Sequence, residues 1–169
     1  MKRLLVAVSV CLAFTSQANA QTPYVVTEDG GSKILNGIIT KYILMNHQED
    51  FKWFATNQQS ANTGSPLIQA MQAAPVGIHF LVFGGTWCED TQNVLPKFFK
   101  MQELAGFPDA RIAFIGVDRT KKSIGNLATV MGITNVPTII VLQNGVEKGR
   151  VIEYGKTGRW DEELSALIK

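Results

Sequence analysis

Cysteine is almost absent from this chain, with two in 169 residues, Cys11 and Cys88. Histidine is equally scarce: His47 and His79 stand far apart, and neither shares a metal-ligand spacing with a cysteine. The longest apolar stretch, Leu4 to Phe14, falls well short of the roughly 20 residues that span a bilayer. There is no internal repeat, no glycine-rich phosphate loop and no Ser-His-Asp pattern. Charge of one sign is lacking too, the formal net charge being +2. A metal enzyme, a nucleotide-binding enzyme of the phosphate-loop type and a strongly basic nucleic-acid binder are all disfavoured, and no cofactor is called for.

The chain does contain an exit signal. Lys2 and Arg3 form a positive start, Leu4 to Phe14 is apolar apart from Ser9, and Ala18-Asn19-Ala20 has the form of a signal-peptidase site. Residues 1–20 therefore read as a signal peptide, and the product as exported, periplasmic or secreted, with no membrane attachment after cleavage. Val10 is too bulky for a lipoprotein signal at Cys11. Removing Lys2 and Arg3 takes the 16 basic residues to 14, level with the 14 acidic ones. Removing Cys11 leaves Cys88 as the single thiol, which rules out an internal disulfide. In an oxidising compartment a lone cysteine is either buried and inert or reactive.

Residues 21–74 read as an N-terminal extension packing on the core. Asp29-Gly30-Gly31-Ser32 is a turn, and Ile34, Leu35, Ile38 and Ile39 suit a short strand or a packed loop. Glu49 to Asn57 suits a short helix anchored by Phe51, Trp53 and Phe54. Gln58 to Ser65 is a polar loop, and Pro66 to Ala73 a second short helix with proline at its first position. From residue 75 the pattern sharpens. Val76 to Phe83 has the continuous apolar character of a strand buried on both faces, broken by Gly84-Gly85. A helix follows over Glu89 to Leu104, then a strand over Ile112 to Val117 and a short helix over Ser123 to Met131 closed by Gly132. A strand over Thr138 to Leu142 turns at Gln143-Asn144-Gly145 into an antiparallel strand over Val146 to Tyr154. Trp160 to Ile168 closes the chain as a helix, with Asp161, Glu162 and Glu163 placed to suit its dipole. This order predicts an α/β fold with a mixed central sheet and helices on both faces. Both strand-helix-strand connections should be right-handed.

The chemistry centres on Gly85-Thr86-Trp87-Cys88-Glu89-Asp90-Thr91. Cys88 ends a strand pattern and begins a helix, where free N–H groups and the positive dipole end favour a thiolate. Glu89 and Asp90 oppose that effect in part, and first-turn acids are ordinarily capping residues. His79 reads as a core or strand-end residue.

Trp87-Cys88-Glu89-Asp90-Thr91 resembles the Trp-Cys-x-x-Cys motif of the thioredoxin family. Pro96 sits where that family has a helix-kinking proline, Val136-Pro137-Thr138 is similar to its cis-proline loop, and Asn144-Gly145 and Gly155 match its hairpin and C-terminal end. The resemblance covers about Val76 to Lys169 and implies a thioredoxin-like domain over 75–169. It implies Cys88 as the nucleophile, beside which the Thr91 hydroxyl is expected to hydrogen-bond and stabilise the thiolate. It also implies Trp87, Val136, Pro137 and Thr138 as substrate contacts.

Two positions depart from the family pattern. Thr91 replaces the resolving cysteine, whose thiolate would release a mixed disulfide, and Val82 stands where a buried acid assists that step. The expectation is an exported monothiol protein that exchanges disulfides with a client protein or a small-molecule thiol or disulfide. The alternatives are a redox-inactive binding module using the same groove and, last, a peroxide-reducing thiol.

Overall fold

A computed structural model describes residues 23–169. The signal peptide read over 1–20, with Cys11, lies outside them. Among the described residues no helix is long and apolar enough to cross a membrane.

The chain runs through β1 (Tyr24–Asp29), β2 (Ser32–Ile39), α1 (Lys41–Asn46), α2 (Lys52–Gln58), α3 (Pro66–Gln72), β3 (Ile78–Gly84) and α4 (Glu89–Ala105). It continues through β4 (Ile112–Gly116), α5 (Leu127–Val130), β5 (Thr138–Gln143), β6 (Val146–Ile152) and α6 (Trp160–Ile168). The strands form one six-stranded sheet in the order β1-β2-β4-β3-β5-β6. β3 and β4 are parallel, joined by the α4 crossover, and every other pairing is antiparallel. Since β5 runs antiparallel to β3, only the α4 connection is a parallel crossover, and the handedness rule applies to it alone.

The two faces of the sheet are covered unequally. On one face Phe80, Val82, Phe114, Ile139 and Val141 pack against Phe54, Leu67, Leu95, Phe98 and Leu164, contributed by α2, α3, α4 and α6. On the other, Phe83, Ile115, Val117 and Ile140 are covered by the single turn of α5 and by the loops around Ile133 and Val136. Val82, at the place of the family's buried acid, is wholly enclosed in the larger core. Lys41, at the start of α1, is also buried, its ammonium held by Gln102 Oε1 at 2.7 Å, Asp109 Oδ1 at 3.0 Å and Glu103 Oε1 at 3.3 Å. A buried lysine persists only with such partners.

Several elements differ from the sequence pattern for local reasons. β1 and α1 were not expected. β1 is exposed along nearly its whole length and so carries no apolar alternation, while α1 is six residues long with only Lys41 and Leu44 buried. Ile34 and Leu35 belong to an eight-residue strand that joins the sheet through β4, so the segment 21–74 supplies two of its six strands. Val76 is 80% exposed and precedes β3. The helix expected over 123–131 shrinks to one turn because Gly125 and Asn126 take left-handed conformations, φ +72° and +56°. β6 stops at Ile152 because Glu153 turns left-handed, its N–H donating to Pro137 O at 2.7 Å.

Proline at Pro96 removes the N–H that would bond Gln92 O one turn earlier. Asn57 Nδ2 donates to that carbonyl at 2.8 Å. The side chain of Gln92 reaches in turn to Thr86 O at 2.8 Å. A defect in α4 is thus tied at one end to α2 and at the other to the loop that carries the cysteine.

Candidate active site

Cys88 is the N-cap residue of the 17-residue α4, with extended φ −93° and ψ 124°. Cys88 is half-buried and is the only cysteine among the described residues. The Sγ–H donates to Val136 O at 3.2 Å. That carbonyl belongs to the loop entering β5, in which the Val136–Pro137 peptide is cis. Thr138, behind it, is buried, and its hydroxyl donates to Asn135 O at 2.7 Å.

The loop between β3 and α4 is held from three sides. The Thr86 hydroxyl donates to Lys33 O at 2.7 Å and accepts from Leu35 N at 3.2 Å, so it completes the edge of β2. Trp87 folds back over Gly85, where a Cβ would stand 2.6 Å from the indole, and its Nε1–H donates to Val117 O at 3.0 Å. The outer side of the ring carries the Arg119 guanidinium at 5.4 Å, which is itself paired with Asp29 Oδ2 at 2.8 Å. The β1–β2 hairpin therefore supports the cysteine loop directly.

Thr91 does not make the hydrogen bond to Cys88 expected of its hydroxyl. It is fully buried, and its Oγ1 accepts from Gly85 N at 3.2 Å. No hydrogen bond joins it to Cys88. The geometry leaves the reason plain: the loop's buried N–H needs an acceptor, and the Thr91 hydroxyl supplies it. Thr91 thus positions the loop that carries the thiol.

Cys88, Trp87 and Val136 share a cavity of about 200 Å³ with Lys121, Asn135 and Glu153. Lys121 comes from a loop organised by Asp118, whose Oδ1 accepts from Thr120 N at 2.8 Å, Thr120 Oγ1 at 2.7 Å and Lys122 N at 3.0 Å. Burial works against the charged form of Asp118, but these hydrogen bonds prevail and hold its carboxyl below the usual range. Tyr154 borders the site, accepting from Asn93 Nδ2 at 3.0 Å, and burial raises its phenol above the ordinary value. Lys121, Glu153, Asn135, Arg119 and Tyr154 lie outside the motif and gave no signal in the sequence. His79 is exposed near the start of β3, as a strand-end residue. The structure also gathers His47, Glu49 and Asp50 within 4.8 Å on an open loop, which the sequence spacing did not suggest, and there Asp50 is already paired with Lys33 at 2.7 Å.

A strand-end thiol at a helix N-terminus, facing a cis-proline carbonyl, sits inside a region recognised at family level: the thioredoxin family model matches residues 38–159. The chain belongs to the thioredoxin family. The matched region begins within β2, consistent with the way that strand enters the sheet. A thioredoxin of Mycoplasma genitalium is 35% identical over 72 residues, 43% of this chain, and the chain spans 65% of that relative's length. A protein of unknown function from Pseudomonas aeruginosa superposes with a TM-score of 0.56 at 20% identity, covering 75% of this chain and 89% of its own. An HIV epitope-scaffold does so with the same score and identity, covering 75% and 90%. These two likenesses show the fold.

Proposed function

We propose that this member of the thioredoxin family is an exported monothiol exchanger. Cys88 attacks a disulfide on a client protein or small molecule and holds it as a mixed disulfide. A second thiol, supplied by the client or the solution, releases it, because Thr91 has no sulfur to do so. The observation that carries this reading is the placement of Cys88: partly accessible, at the head of the long α4, with its Sγ on Val136 O at the mouth of a cavity. On this reading the Val136-Pro137-Thr138 loop holds the client as an added strand, through its main chain since all three side chains are buried. The positive, apolar and small-residue pattern of residues 1–20 supports export.

The test is reaction of the folded protein with a neutral aromatic disulfide, followed by mass measurement, in a Cys11→Ser background. Rapid addition of one substituent, lost in Cys88→Ser, is the expected result. Labelling that proceeds only on unfolding would mean an inert thiol and would leave a redox-inactive binding module as the function.

A further inference from the structure

The cavity beside Cys88 is lined by two opposite charges that no ion pair neutralises among the described residues. Lys121 and Glu153 both line it. Among the described residues, neither takes part in an ion pair. Glu153 commits one oxygen, Oε1, to Asn135 Nδ2 at 2.8 Å. No hydrogen bond from the Lys121 ammonium is formed within the described residues, although Asp118 lies in the same loop. Neighbouring charges are otherwise occupied: Arg119 is paired with Asp29, and the carboxylate of Asp118 takes three donors from its own loop.

The backbone at these two residues is unusual as well. Four non-glycine residues have positive φ among those described: Lys121, Asn126, Asn144 and Glu153, at 58°, 56°, 53° and 54°. Asparagine tolerates this region, whereas lysine and glutamate gain nothing from it. Both of the unfavoured residues line the thiol cavity. Each is held there by a main-chain bond, Lys121 N to Asp118 O at 2.9 Å and Glu153 N to Pro137 O at 2.7 Å. Strain kept at a cavity that also holds a nucleophile is a mark of a working site.

We infer that this cavity selects zwitterionic disulfides, in which each half carries a carboxylate for Lys121 and an ammonium for Glu153 beside the reacting sulfur. The chemical class is a small amino-acid disulfide, and a cavity of about 200 Å³ is of a size for one half of such a molecule. This rests on the exchange reading above. The step balances without a further reactant. The Cys88 thiolate forms a bond to one sulfur of the substrate, the substrate's S–S bond breaks, and the departing thiolate takes a proton from water. One half, with both its charges, remains on Cys88 between Lys121 and Glu153.

The experiment measures mixed-disulfide formation by the Cys11→Ser protein with four probes: cystine, cystamine, dithiodiglycolate and bis(2-hydroxyethyl) disulfide. Each rate is divided by that of a neutral free thiol at the same pH and ionic strength, which removes the probes' intrinsic reactivity. Partly exposed ion pairs contribute roughly two- to fivefold each, so cystine should exceed the neutral probe by about four- to twenty-fivefold. Lys121→Asn, which suits a positive φ, should remove the carboxylate's share, and Glu153→Gln the ammonium's share. Lys121→Gly gives a second neutral variant free of backbone strain; it should unfold at or above the wild-type temperature while losing the same selectivity. Equal normalised rates for all four probes, or a ranking that the variants leave unmoved, would overturn the inference and leave the exchange reading standing. Failure of every probe, the neutral one included, would overturn both.

Discussion

Thr91→Val is the substitution that separates two roles for Thr91, a support for the loop at Gly85 and a direct partner of the Cys88 thiol. Valine keeps the shape of threonine, including the methyl that packs near Gly84, and removes only the oxygen. That oxygen is the acceptor for the Gly85 N–H at 3.2 Å, and both residues are buried. A buried donor stripped of its acceptor costs about 1–3 kcal/mol. For a domain of this size each kcal/mol lowers the midpoint by about 2–4 °C, so the variant should melt roughly 2–12 °C below wild type. Thr91→Ser, which keeps the acceptor, should lose less than Thr91→Val. The paired assay is the rate of Cys88 alkylation against pH. Because Thr91 makes no bond to Cys88, the shape of that profile should be the same in Thr91→Val as in wild type. A Thr91→Val protein of wild-type stability whose alkylation profile moved along the pH axis would refute the positioning role and restore a direct bond to the thiol.

Three further outcomes follow from the same supports. In Gly85→Ala the new Cβ would lie 2.6 Å from the Trp87 indole, which must swing outward and give up Val117 O; tryptophan emission should shift to the red and stability fall by about 1–3 kcal/mol. Asn57→Ala should cost about 1 kcal/mol or more by stranding Gln92 O, and less when Pro96→Ala restores the helical N–H; chemical denaturation of the four proteins of this cycle measures the difference. Asp118 has a folded-state pKa below its unfolded one, so its contribution is present above about pH 4 and is lost as pH falls through the folded value. The stability gap between wild type and Asp118→Asn should therefore be widest near neutrality and close in acid, as read from urea midpoints across that range.

The elements legible in the sequence were those whose burial writes a period into it. β3, β4 and β5 are short apolar runs, and α4 shows Val94, Leu95, Phe98, Phe99 and Met101 on one buried side. Where burial is one-sided or slight, as in β1 and α1, nothing distinguishes the chain from a loop. The cysteine motif was readable because strand end, cysteine and helix start are adjacent in sequence. The cavity beside it was not. Lys121 and Glu153 are brought there by left-handed turns, and neither residue type announces a positive φ as glycine or asparagine does. Thr91 was read by its position in the motif, and its partner turned out to be a main-chain N–H six residues back, which only the curl of the loop brings near.

The site is best understood as three loops meeting at one end of the sheet. The loop after β3 brings Trp87 and Cys88, the loop after β4 brings Arg119 and Lys121, and the loop before β5 brings Asn135 and Val136, with Glu153 added where β6 ends. Each is fixed by bonds to elements other than its own: Thr86 to β2, Arg119 to Asp29 of β1, Glu153 N to Pro137 O. The N-terminal hairpin is therefore part of the site's frame, since without it both Thr86 and Arg119 lose their outer partners. On the exchange reading proposed above, a rigid frame around Cys88, the only cysteine among the described residues, suits a mixed disulfide that has to persist until a second thiol arrives. Selection, on that same reading, falls to the residues that line the cavity, Lys121 and Glu153 among them.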